Sequence, residues 1–110
     1  MESQKRKIPK VAPVSRGGIR YEVLGGAKER GFGQNGGVIA AISEAGKKEL
    51  WTVVVYRVDF DPKEEEDVQE IYITKLALSK DGKQLVVDNE RHKRFVVTLS
   101  DRSVLETRGK

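Results

Sequence analysis

The sequence contains no cysteine. That absence excludes disulfides, thiol catalysis, iron–sulfur clusters and zinc sites of the cysteine type. It fits a reducing cytosol without excluding the periplasm. There is one histidine, His92, and no G-x-S-x-G stretch, so neither a Ser-His-Asp triad nor a three-histidine metal site is expected. No apolar run is long enough to span a bilayer. The N-terminal charges are not followed by an apolar segment of secretory type, so the reading is a cytoplasmic protein without a membrane partner.

Nor does charge of one sign dominate the chain as a whole. It carries 21 Lys+Arg and 17 Asp+Glu, a formal charge of +4. Lys5, Arg6, Lys7, Lys10 and Arg16, offset by Glu2, account for all of it, so residues 17–110 are formally neutral. A dedicated nucleic-acid-binding domain normally carries its basic excess on the fold itself. Residues 1–16 also hold Pro9 and Pro13 and show no clean period, which predicts a disordered basic tail. At 110 residues the chain has room for one domain, placed at 17–110.

Beyond Gly17-Gly18 the pattern becomes one of short apolar runs with period two. Ile19, Tyr21 and Val23 alternate with Arg20 and Glu22, as in a half-buried strand. Val38–Ile42 is a short apolar run. Leu50–Phe60 is longer and apolar on both faces in its middle, which predicts the central strand. Val68–Ser79 reads as a strand in which Tyr72, Thr74, Leu76 and Leu78 oppose Ile71 and Ile73, with a bulge near Thr74-Lys75. The rival reading of that segment is a helix from Pro62 through Lys80, with acids in its first turn. Asp81-Gly82 marks a tight hairpin turn. Strands follow at Gln84–Asp88, Arg94–Leu99 and Val104–Thr107. The expected fold is all-β: a single small antiparallel meander of about six to seven strands, barrel and sandwich both open, behind a disordered N-terminal arm.

Two stretches carry a resemblance. Gly37 through Trp51 resembles the blade repeat of quinoprotein-type β-propellers, with Ala41, Ile42, Lys48 and Trp51 matching. Ser43 stands where the family has Asp, and Gly46-Lys47 stand where it has Thr-Gly. Leu76 through Val87, with Ser79-Lys80-Asp81-Gly82, is similar to the Ser-x-Asp-Gly hairpin of propeller blades, the WD type included. The resemblance implies propeller-style hairpins. It carries over no cofactor-binding residue, and a closed propeller needs at least about four blades of four strands.

Three stretches are candidates for chemistry. Gly31-Phe32-Gly33-Gln34-Asn35-Gly36-Gly37-Val38 fits G-x-G-x-x-G-x-V, the spacing of a phosphate-covering loop, although the remaining kinase motifs are missing. The whole segment 25–37 is the longest irregular stretch inside the fold. It offers Lys28, Arg30 and an exposed-looking Phe32 as a contact tip. Asp59, Asp61, Glu65 and Glu70 fall at calcium-loop positions, but Lys63 and Glu64 break the pattern, which favours a solvated acidic loop. Arg91, His92, Lys93 and Arg94 form a basic turn that would join Lys28 and Arg30 in one patch if both loops lie at the same end. The expectation is a small non-enzymatic β binding module, regulatory or inhibitory, with no metal or cofactor. It would hold another protein through the 25–37 loop or an edge strand. The alternative is a polyanion or nucleic-acid binder acting through the basic tail and the 91–94 turn.

Overall fold

Valine, isoleucine and aromatic residues crowd a helix and suit a pleated surface, and the chain puts them in short runs separated by glycine-bearing turns. The computed structural model describes residues 8–107 and contains eight strands. In chain order these are β1 (Val14–Arg16), β2 (Ile19–Val23), β3 (Val38–Ser43), β4 (Lys48–Val54), β5 (Ile73–Leu78), β6 (Gln84–Asn89), β7 (Arg94–Thr98) and β8 (Val104–Thr107). They form two four-stranded antiparallel sheets, ordered β1-β2-β3-β4 and β5-β6-β7-β8. The count of six to seven is corrected to eight. A closed barrel is also corrected, because no strand of one sheet pairs with a strand of the other.

The extra strand comes from the predicted tail. Val14 pairs with Tyr21 and Arg16 with Ile19 across Gly17-Gly18, so the disordered arm does not extend to residue 16. Val11 and Val14 pack against the core, and that apolar burial holds the segment on the fold. Lys5, Arg6 and Lys7 lie outside the described residues.

One core joins the sheets. Tyr21, Ile39 and Ala41 of the first meet Ile73, Leu76, Leu85, Val87, Phe95 and Val97 of the second. The alternation works as pattern reading requires: Leu85 and Val87 point inward, as do their partners Val97 and Phe95. The expected bulge is present, with the β5 register shifting between Ile73 and Lys75. It lets both Ile73 and Leu76 be buried although strict alternation would put them on opposite faces.

Two predicted spans change. The strand expected at 50–60 ends at Val54 and is the edge of its sheet, not the centre. The loop after β2 covers the end of β4 and its neighbour β3: Leu24, Ala27 and Phe32 pack on Val38, Ala40 and Val54. The strand expected from Val68 begins only at Ile73, preceded by a single helical turn, α1 (Glu66–Gln69). The rival 62–80 helix is limited to that turn. Chain reversals fall where expected. At Asp81-Gly82 the positive φ belongs to Gly82 alone. The Ser79 hydroxyl donates to the Asp81 carboxylate at 2.7 Å, and that carboxylate accepts the Lys83 N–H at 3.0 Å.

Three aspartates that accept hydrogen bonds in the folded chain are held below their ordinary pKa. The Lys83 N–H and Ser79 hydroxyl do this for Asp81, the Arg94 guanidinium for Asp88, and the Ser103 backbone N–H for Asp101. Their contribution to stability is complete above the unfolded-chain value of about 4 and is lost as the pH falls through the lower folded-state values. The urea midpoint is therefore expected to drop steeply below about pH 4. The Asp81→Asn/Asp101→Asn double variant should start lower at neutral pH and show a shallower acid slope.

Candidate functional site

The segment 34–37 and the inter-sheet connection 55–72 meet in a buried polar junction. Gln34 is 2% exposed and Glu70 is 3% exposed, so each needs its polar atoms satisfied. Gln34 donates from Nε2 to the carbonyls of Gly36 and Tyr56 at 2.9 and 2.7 Å. Its Oε1 accepts the Val58 N–H at 2.9 Å. The Glu70 carboxylate accepts the N–H groups of Asn35 and Gly36 at 2.7 and 2.9 Å. The Tyr56 hydroxyl donates to the Ile71 carbonyl at 2.6 Å. Burial raises the pKa of this phenol well above its ordinary value, with Glu90 and Glu70 adding repulsion.

This junction answers the phosphate-loop reading. Two backbone N–H groups of the glycine motif do point at an anion, but the anion is the protein's own Glu70 carboxylate. Gly36 is required by contact: a Cβ there would overlap the Ile71 carbonyl. Sequence reading put Glu70 at the end of a solvated acidic loop and gave Gln34 no role. The calcium pattern is not assembled. Glu70 is turned inward, Asp61 accepts the Lys63 N–H at 2.9 Å, and no metal-binding group of three is present among the described residues. The signal that would have found Gln34 is a polar residue among glycines beside an apolar strand.

The 25–37 loop is closed down on its sheet. Arg30 grips Glu49 of β4 with two hydrogen bonds, at 2.8 and 2.9 Å, raising the Arg30 pKa and lowering that of Glu49. Phe32, read as an exposed tip, is half-buried against the outer apolar cluster. The Arg30 guanidinium lies 6.0 Å from its ring centroid. The Lys28 N–H donates to Asn35 Oδ1 at 3.0 Å.

The basic turn is organised by Asn89, whose Oδ1 accepts the N–H groups of Arg91 and Lys93 at 2.9 and 3.2 Å. His92 is exposed with φ 63°. Arg94 points to the other side and grips Asp88 at 2.8 and 3.1 Å. Lys93 reaches Glu106 at 3.8 Å.

The two basic loops contribute to different cavities. Arg91 and Lys93 line a cavity of about 470 Å³ with Tyr56, Arg57, Phe95 and Val104. Lys28 lines a different cavity, of about 510 Å³, with Ile8, Pro9 and Val11 of the N-terminal segment.

The chain matches no model of a known protein family, and no curated protein matches it significantly in sequence.

The junction generates two expectations. Glu70→Ala leaves the buried Gly36 N–H and the half-buried Asn35 N–H without their acceptor and should cost about 2–4 kcal/mol in urea unfolding. The Asn35 and Gly36 amide resonances should move furthest. Gly36→Ala forces a steric overlap and should cost roughly 3 kcal/mol. Gly46→Ala, where a Cβ meets nothing within 4 Å, should stay within about 0.5 kcal/mol of the parent.

Proposed function

We propose that this domain is a non-enzymatic β interaction module that takes an extended segment of a protein partner along edge strand β8. The observation that carries this reading is Leu105, 67% exposed on a strand that ends its sheet. The outward backbone groups of such a strand are a template for another chain, and an apolar residue on it invites contact where natural edges usually carry charge. Val104 is also exposed, and the 470 Å³ cavity adjoins it.

The other expected surface is less suited. The 25–37 loop spends its aromatic, its Arg30 charge and its Gly31 and Gly36 N–H groups on internal contacts. The polyanion reading is weakened in the same way at the 91–94 turn, where Arg94 and Lys93 already hold carboxylates. The hairpin resemblance belongs to this reading as architecture: each sheet is a four-stranded meander in chain order. Lys47, at φ 54°, stands where the quinoprotein-type repeat has glycine. We take the two sheets as a pair of blade-like units.

An array of extended peptides probed with the labelled protein tests the reading. Binding should persist after removal of residues 1–7, which spares β1, and at about 0.5 M salt, where exposed charge pairs are strongly screened. It should disappear in Leu105→Lys. Loss on truncation and in salt, with Leu105→Lys unaffected, would turn the assignment over to the polyanion reading.

A further inference from the structure

The two sides of β8 differ in chemistry. Val104 pairs with Val97 and Glu106 with Phe95, and those partners face the core. Leu105 pairs with Val96 on the opposite face. There it ends an apolar row across all four strands, Ala77, Val86, Val96 and Leu105, matched pairwise in register. A strand added outside β8 would continue the alternation, sending successive side chains to the cavity side and to the Leu105 side.

The cavity side is cationic over an aromatic floor. Phe95 is stacked with Tyr56 at 5.1 Å between ring centroids. Around them stand Arg57, Arg91 and Lys93, against one lining carboxylate, Glu106. Lys93 holds Glu106. Neither Arg57 nor Arg91 has a carboxylate partner among the described residues. The nearby acids are directed elsewhere: Glu90 Oε1 accepts the Tyr72 N–H at 2.9 Å, and Glu70 is held in the junction. Two exposed arginines lining a cavity floored by aromatic rings are suited to a planar carboxylate on a hydrocarbon stem.

We infer that the cavity receives an acidic side chain of the partner segment lying on β8, flanked in that segment by apolar residues on the Leu105 face. This rests on the edge-strand reading and adds to it the sequence character of the partner: apolar, acidic, apolar at successive positions. Strand pairing supplies affinity that any extended peptide shares, and the two faces supply selectivity.

The probes are two peptides, acetyl-Thr-Val-Glu-Leu-Thr-amide and its counterpart with Gln for Glu, titrated into the ¹⁵N-labelled full chain at low salt. Both should shift the amides of β8. The Glu peptide should also shift Arg57 and Arg91 and bind about tenfold more tightly, as expected for a charge-assisted pair. The Arg57→Ala/Arg91→Ala variant alters two exposed side chains and should bring the Glu peptide to the level of the Gln peptide. Equal binding of the two peptides by the parent, or a preference that survives in the double variant, overturns the acidic pocket and leaves the edge reading standing. If neither peptide shifts β8 at millimolar concentration, the edge reading fails and the pocket with it. Light scattering of the free chain accompanies the titration. A dimer that dissociates on Leu105→Lys makes a second copy the occupant and overturns the proposal.

Discussion

The buried junction of Gln34, Glu70, Gly36 and Tyr56 is the constraint on which the rest of the structure depends. Two sheets joined by an irregular connection share an apolar core, but apolar burial is non-directional and does not by itself fix how that connection runs. Gln34 and Glu70 supply direction. Each is buried, and each uses its oxygens on backbone N–H groups of a segment distant in sequence. An unsatisfied N–H at either place would cost more than the bond gains, so the loop before β3 and the chain before β5 are held to one arrangement. Gly36 lets the backbones approach closely enough for the bonds to form.

From that junction the use of the two loops follows. With its C-terminal end fixed at 34–37, the loop after β2 folds back over the outer face of the first sheet. Arg30 on Glu49 and Phe32 on the apolar cluster hold it there. The loop covers Val38, Ala40 and Val54 of the first sheet, while Leu50 stays exposed. The second sheet is covered only on its core face, and its outer apolar row runs out to Leu105. Leu105 of β8 is thus the most exposed large apolar residue among those described, although the glycine-rich loop carries the more conspicuous sequence.

Charge follows the same logic. The sequence presents Arg91, Lys93 and Arg94 as one basic turn, yet strand alternation separates them. Arg94 enters β7 on the outer face and meets Asp88, directly across the β6–β7 pair. Arg91 and Lys93 remain at the cavity, joined by Arg57, which arrives from the inter-sheet connection. Of the cations that line this cavity, the one least visible in sequence is thus Arg57, a single residue after a strand.

The sequence by itself determined the class of fold, most strand positions, the bulge beside Lys75 and the turn at Gly82. These follow from side-chain branching, period-two alternation and positive φ, all of which act over a few residues. It also determined that the basic excess lies in residues 1–16 and that the remainder is neutral. What it did not disclose was β1, whose Val14 makes sense only beside Tyr21, or the edge position of β4, whose end is covered by the loop after β2. The role of Glu70 was equally hidden. In sequence it is one acid among many, and only desolvation by distant segments makes it a buried acceptor. The tertiary structure decided which polar groups are consumed internally and which stay at the surface. That depends on pairing between residues far apart along the chain, and no local pattern encodes it.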